Sequence, residues 1–261
     1  MRQLSQISGL SGSTLKRSIR YWLARPPTTS WWIDHVSRLI CDGTFLEHRT
    51  GIYAVMNAQT KTLVHAEFDV PEGSVELTRV YRELKARGVE PVTATIDGNP
   101  QQMQYLRDVW PSIKLQRCTV HVQRQGLSWC RRTPKRTDAR HLREIFLHLS
   151  DVETQYQARR FCAQVRAWDQ RFGPAIKQST DRGWVFQDLV RARSMILKAL
   201  PDLFRYTKDP LVPKSTNTLE GYFSRLKDHY RHHRGLAPHH REPYFRWYFH
   251  LVSGGKNSNT K

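Results

Sequence analysis

LICDGTF, residues 39 to 45, carries an apolar run straight into a carboxylate, Asp42, with a glycine behind it. A charged group delivered by a buried strand needs a metal, a base or water beside it, because burying an isolated charge is costly. The same device recurs in TIDGNP, residues 95 to 100, where a second β-type run ends in Asp97 and Gly98. Asp-Gly is also a common turn dipeptide, so either one alone is read equally well as a turn. Two of them, each with a glycine that lets the backbone turn away at the strand edge, place two carboxylates beside one solvent-filled spot if their strands are neighbours.

The surrounding pattern makes them neighbours. VSRLICDGTF, GIYAVMN and TLVHAEFDV, between residues 36 and 70, are β-rich runs separated by polar turns, as in an antiparallel meander. A helix is expected near Val75 to Arg87, where Leu77, Val80, Tyr81 and Leu84 recur at helical spacing. PVTATIDGN then reads as a buried strand, QQMQYLRDVW as a helix and SIKLQRC as a strand. The order strand-strand-strand-helix-strand-helix-strand is that of a ribonuclease-H-like α/β sheet, mixed and flanked by helices. Its first and fourth strands, those of Asp42 and Asp97, lie side by side.

Residues 136 to 207 hold no strand pattern. Helical runs such as LREIFLHL and FCAQVRAW, punctuated by Pro174 and Pro201, make this an all-helical insertion. Ahead of the sheet, MRQLSQISGLSGSTLKRSIRYWL reads as a short helix-turn-helix. Leu4 and Ile7 mark the apolar face of its first helix, Gly9 the turn, and Leu10, Leu15 and Ile19 the core of the second. Ser13 or Thr14 caps a helix whose outer face carries Lys16, Arg17 and Arg20; the alternative is an amphipathic pair that only packs on the next domain. The expected organisation is a helix-turn-helix at 1–24, a linker at 25–33, the first part of the sheet domain at 34–128, the helical insertion at 129–214, a C-terminal helix and basic segment at 215–252, and a disordered tail, SGGKNSNTK, at 253–261.

The 261 residues carry 42 Lys and Arg against 23 Asp and Glu, a formal charge of +19, spread along the whole chain. That excess favours a polyanion, nucleic acid first, since each neutralised phosphate releases counterions. With 39% hydrophobic and 11% aromatic residues the chain is globular rather than a basic disordered tail. No apolar run approaches the roughly 20 residues of a spanning helix and no signal peptide opens the chain, so no membrane role is expected. Cys41, Cys118, Cys130 and Cys162 are scattered without CxxC spacing, which fits a reduced cytoplasmic compartment better than a disulfide framework.

A third acid, Glu220, lies in KSTNTLEGYFSRLK. Locally it reads as the far member of a capping box opened by Asn217. It also begins a helix face that continues through Ser224, Lys227 and Arg231, an acid leading into cations toward a phosphate backbone. Three convergent carboxylates in a basic protein suit phosphodiester chemistry by two Mg²⁺ ions, which take hard oxygen ligands. No GxSxG, P-loop or Cys with an obvious His partner competes with that reading. His229 and His233, at i and i+4, lack a third ligand at zinc spacing.

At these residues the chain resembles the DDE transposases, specifically the Mutator-type group of bacterial insertion sequences. The resemblance covers most of residues 34 to 250 and rests on LICDGTF, ATIDGNPQ, QRCTVHVQR, STNTLEGYFSRLK, and HRGL with the later RWYFHL, in that order. The separations, 97 − 42 = 55 and 220 − 97 = 123, leave room for the helical insertion this group places before its Glu. The resemblance implies that Asp42, Asp97 and Glu220 are the catalytic, metal-binding triad for two Mg²⁺, with Mn²⁺ as substitute. It implies that Cys118 and His121 form the group's CxxH motif near the active site, which by itself reads equally as a buried Cys and a satisfied core His. Asn217 matches the polar residue before the Glu.

The implied activity is binding of double-stranded DNA at the element's terminal inverted repeats, strand cleavage by water, and transfer of the 3′-hydroxyl to target DNA, by a homo-oligomer on DNA in the bacterial cytoplasm and nucleoid. Ser13, Thr14, Lys16, Arg17 and Arg20 would serve recognition, and Lys227, Arg231 and Arg234 would track DNA near the cut. Two other readings stay open: a catalytically silent DNA-binding protein derived from a transposase, and a related ribonuclease-H-like nuclease. Members of the group often carry a longer DNA-binding region before the core, so a truncated copy or a piece of a longer reading frame is expected.

Overall fold

A computed structural model of the chain describes residues 2–27, 33, 35–47, 50–70, 74–233 and 235–254. The meander forms as β1 (Arg38–Glu47), β2 (Thr50–Asn57) and β3 (Leu63–Phe68). After α3 (Glu76–Ala86) come β4 (Thr93–Ile96), α4 (Pro100–Val109) and β5 (Lys114–Arg117). The five strands make one sheet in the order β3-β2-β1-β4-β5. β1 pairs antiparallel with β2 and parallel with β4, and β4 pairs parallel with β5. The sheet is therefore mixed, and β1 and β4 are neighbours.

Strand alternation sorts the side chains onto two faces. Leu39, Cys41, Tyr53, Val55, Ala94 and Ile96 point to one face and pack with Leu77, Val80, Tyr81 and Leu84 of α3 and Leu106 of α4. Ile40, Ile52, Ala54 and Met56 point to the other, where they pack with Leu219, Tyr222, Phe223 and Leu226 of α9 (Asn217–Arg231) and Phe245 and Phe249 of α10 (Pro238–Gly254). Phe68 of β3 stacks on Phe245 at 5.3 Å between centroids.

Between β5 and α9 the chain is helical: α5 (Thr119–Cys130), α6 (Thr137–Leu147), α7 (Gln155–Gln178) and α8 (Trp184–Ala199), with short 3-10 turns. These helices share a separate core that includes Leu142, Phe146, Phe161, Val165, Leu189 and Ile196. Pro174, expected to punctuate, lies inside α7. Near a helix end the missing N–H costs one hydrogen bond, and packing of Trp168 and Ile176 carries the helix past it. Gln116 of β5 fastens the insertion to the sheet, donating to Leu203 O at 2.7 Å and accepting from Arg205 N at 2.9 Å.

Three expectations are corrected. Gly43 does not turn β1 away: the strand continues to Glu47, with Asp42 opposite Ala54 and Gly43 opposite Tyr53 on β2. Only the pairing with β4 stops at Ile40, because β4 is the strand that turns away, at Gly98 with φ +99°. The N-terminal pair does form, as α1 (Arg2–Ser8) and α2 (Gly12–Leu23) around Gly9 at φ +69°. Its apolar positions make no core, however: Leu4, Leu10 and Ile19 are exposed, Ile7 is 83% exposed, and Leu23 alone is buried. Helices of 7 and 12 residues offer too little apolar surface to enclose one another. Finally, the cap of α2 is Ser11, whose Oγ accepts from Thr14 N at 3.1 Å, and not Ser13 or Thr14. Most of the linker expected at 25–33 and of the tail at 253–261 falls outside the described residues, as does Arg234. None of the described helices is long and apolar enough to cross a membrane.

Candidate active site

The last paired residues of β1 and β4 are Ile40 and Thr95. Asp42 and Asp97 stand two residues beyond, one full alternation, so both belong to the face that carries Ile40 and Thr95. That is the face α9 covers. Thr95 Oγ1 donates to Pro213 O at 2.8 Å, pinning the approach to α9 against the end of β4. Glu220, in the first turn of α9, is thereby brought to the same end of the sheet.

Asp42 is 4% exposed. Burial pushes its carboxyl up to about 6 and the charge of Asp97 adds to the rise; His121, the Gly43 N–H and the Thr216 hydroxyl oppose it. The Gly43 N–H donates to Asp42 Oδ1 at 2.9 Å. Asp97 accepts from Asn99 N at 2.9 Å, while its backbone carbonyl accepts from Arg117 Nε at 3.1 Å. Gly98 is required here twice over. Its φ is left-handed, and a Cβ would lie 1.6 Å from Arg117 Nε.

His121, on the first turn of α5, stands between the acids. Its Nε2 is 3.6 Å from Glu220 Oε1, and Arg124, one turn on, is 3.7 Å from Glu220 Oε2. The hydrogen bond with Cys118 raises His121 to about 9 against burial, helped by the charges of Cys118, Asp42 and Glu220. Burial opposes any lowering of the Cys118 thiol, but His121 and the Thr216 N–H pull it below its ordinary value. The CxxH pair is therefore a coupled polar unit facing two of the acids, and not a Cys and a His each satisfied in apolar core.

Sequence reasoning missed Thr216. It is fully buried; its N–H donates to Cys118 Sγ at 3.4 Å and its hydroxyl lies 3.4 Å from His121 Nδ1. Thr216 is also the residue at the N-cap of α9, and Asn217 is its first helical residue. The capping box expected from Asn217 and Glu220 is thus corrected: the Glu220 side chain faces His121 and Arg124. A capping-type Thr one position before the Asn was the available signal. Tertiary contacts to Cys118 chose between them.

Among the other expected residues, Lys16, Arg17 and Arg20 are exposed on α2, with Ser13 exposed and Thr14 half-buried. Lys227 is half-buried and Arg231 exposed, the latter paired with Asp228 at 3.0 Å. Lys227 and Arg231 share α9 with Glu220, further along the helix, whereas Ser13, Thr14, Lys16, Arg17 and Arg20 lie on α2, a separate element.

The donors suit a hard cation. All three acids offer oxygen, Glu220 Oε1 is buried without a hydrogen-bond partner, and Asp42 is a buried carboxylate whose charge is opposed by its surroundings. Asp42 and Asp97 are the part of the set that the sheet itself brings together. Glu220 stands across His121, and among the described residues no three His, Cys, Asp or Glu side chains are close enough to hold one ion.

Residues 51–199 match the family model of the transposases of the Mutator family. Asp97, Cys118 and His121 lie within that stretch; Asp42 and Glu220 lie outside it. The transposase for insertion sequence element ISRM3 of Rhizobium meliloti (strain 1021) is 28% identical over 178 residues, 66% of this chain and 44% of that protein. A probable transposase for an ISRM3-like insertion sequence element of Sinorhizobium fredii (strain NBRC 101917 / NGR234) is 27% identical over 185 residues, 68% of this chain and 45% of that protein. The chain spans under half the length of these curated relatives. The family match runs through more than half of the chain, from β2 to the end of α8, and the chain belongs to the Mutator family of transposases.

Proposed function

We propose that the chain acts on DNA as a DDE transposase, cutting strands at the ends of an insertion element and joining them to target DNA on a ribonuclease-H-like core. The observation that carries this reading is the equal register of Asp42 and Asp97 on adjacent parallel strands, under a helix that brings Glu220 to the same sheet end. Asp42 and Asp97, with Glu220, would hold two Mg²⁺ ions, which when bound supply an activated water and charge stabilisation at the phosphate. The chain's own part is positional. β1 and β4 fix the two Asp, Thr95 and Thr216 fix the start of α9, and Arg124 and His121 hold the Glu220 carboxylate at the mouth of the site.

DNA would be recognised through the exposed Lys16, Arg17 and Arg20 of α2, read as a helix-turn-helix, and tracked by Lys227. A multimer on the two element ends completes the reaction. The test is incubation of the purified chain with a labelled duplex carrying an element end, in Mg²⁺ or Mn²⁺, beside Asp97→Asn. Cleavage and joining lost in the variant support the reading. Cleavage without joining marks a nuclease on the same core, and binding without either marks a DNA-binding protein without catalysis.

A further inference from the structure

α7 packs into the helical core through Ala158, Phe161, Val165 and Trp168. Arg159, Cys162 and Arg166 recur beside that stripe at spacings of three and four, and wall one side of a cleft of about 400 Å³. The segment from Leu200 to Lys208 forms the opposite wall, and Ala158, Leu200 and Phe204 give an apolar floor. Four cations line this cleft, Arg159, Arg166, Arg205 and Lys208, and no carboxylate does.

Arg205 is committed to the fold, donating to Asp202 Oδ1 at 2.6 Å and to Leu115 O at 2.6 Å. Arg159, Arg166 and Lys208 are exposed. No ion pair occupies them among the described residues, whereas other cations of the insertion are taken: Arg131 and Arg191 by Asp188, Arg193 by Asp169, Arg136 by Asp138. A concave surface lined by one sign of charge focuses its field outward. An apolar floor beside these cations suits a sugar-phosphate chain better than a bare anion.

The cleft is also within reach of the acids. Lys208 and Thr216 are 216 − 208 = 8 residues apart, so they are separated by at most about 29 Å of extended chain. One turn of duplex covers about 34 Å. The cleft and the start of α9 therefore lie within about one turn of duplex of each other.

We propose that this cleft is a second DNA site, gripping the phosphate backbone of the duplex beside the strand being cut through Arg159, Arg166 and Lys208, with Arg205 bracing the wall. The inference rests on the DNA-acting reading above. It is tested on the full chain by fluorescence anisotropy with a labelled duplex across a salt series. Arg159→Gln/Arg166→Gln removes two phosphate contacts, so the slope of log affinity against log salt should fall by about 1.8, at about 0.9 per phosphate.

Arg160→Gln/Arg171→Gln makes the same charge change on α7 outside this cleft, where these two lie against Tyr156 and Phe172, and should keep the wild-type slope. Equal losses in both pairs reduce the effect to net charge and overturn the cleft site, as does an unchanged slope in the Arg159/Arg166 pair. Should circular dichroism show that pair unfolded, Lys208→Gln replaces it, with a slope loss of about 0.9 expected and no loss overturning the site. Asp97→Asn separates the two readings: it should bind with the wild-type slope and not cut. A wild-type chain that binds no duplex fails the DNA reading as a whole, and the cleft with it.

Discussion

Asp42 and Asp97 occupy equivalent positions on adjacent parallel strands, each two residues past the last pair, Ile40 and Thr95. Their shared face and mutual repulsion make this end of the sheet costly without a cation. In metal-free buffer Asp42→Asn should therefore raise the melting temperature, and in Mg²⁺ the same variant should not cleave DNA. The sign follows from linkage: a carboxyl raised from its ordinary 3.8 to about 6 is destabilising when ionised, fully so above pH 6, and the cost is relieved as pH falls toward 4. The gain is on the order of 1–3 kcal/mol at about 1.4 kcal/mol per pKa unit. Thermal melts at pH 8 and pH 4 check it; an equal gain at both would refute it.

Gly98→Ala should be among the more damaging small substitutions in the sheet. The left-handed φ costs about 1–3 kcal/mol for a residue with a Cβ, and the Arg117 side chain must leave the Asp97 carbonyl. Chemical denaturation reads the stability loss. Asn at this position tolerates the backbone better but meets the same guanidinium, so it should rescue only part.

Thr95→Val removes one buried hydroxyl and leaves Pro213 O without that donor. The expected loss is about 1–2 kcal/mol of stability. Because Pro213 leads into α9, DNA cleavage should fall by more than the unfolded fraction explains. A rate loss matching the unfolded fraction alone would show that Thr95 does not position Glu220.

Trp247→Phe tests how α1 and α2 are attached. Trp247 Nε1 donates to Trp22 O at 2.9 Å and the two indoles meet edge to face at 5.5 Å. Losing that anchor should speed proteolytic cleavage between α2 and β1 several-fold with little change in the melting temperature. Unchanged cleavage would place the attachment elsewhere.

The meander and the two acid-bearing strands were legible because alternation and β-branched runs report local geometry directly. Asp97 was read correctly since its turn is local, with Gly98 and the Asn99 cap of α4 adjacent in sequence. Asp42 was misread as a strand end because what extends β1 to Glu47 is its partner β2, and a strand interior tolerates Gly43 at a modest cost. Thr216 showed only as a capping-type residue, because its contacts are to Cys118 and His121, roughly a hundred residues earlier in the chain. For Leu4, Ile7 and Ile19, helical spacing reports amphipathicity but not whether anything covers the apolar side.

The placement of α9 over a sheet completed much earlier has a consequence for biosynthesis. β1, β4 and the α3–α4 side of the sheet are all encoded before residue 118, whereas Glu220 follows Asp97 by 220 − 97 = 123 residues. At ribosomal rates of about 5–20 residues per second, Glu220 emerges roughly 6–25 s after Asp97. During that interval the nascent chain exposes Ile40, Ile52 and Met56 where α9 will lie. The interval is a period of aggregation risk, and it keeps the acid set incomplete until α9 has been made.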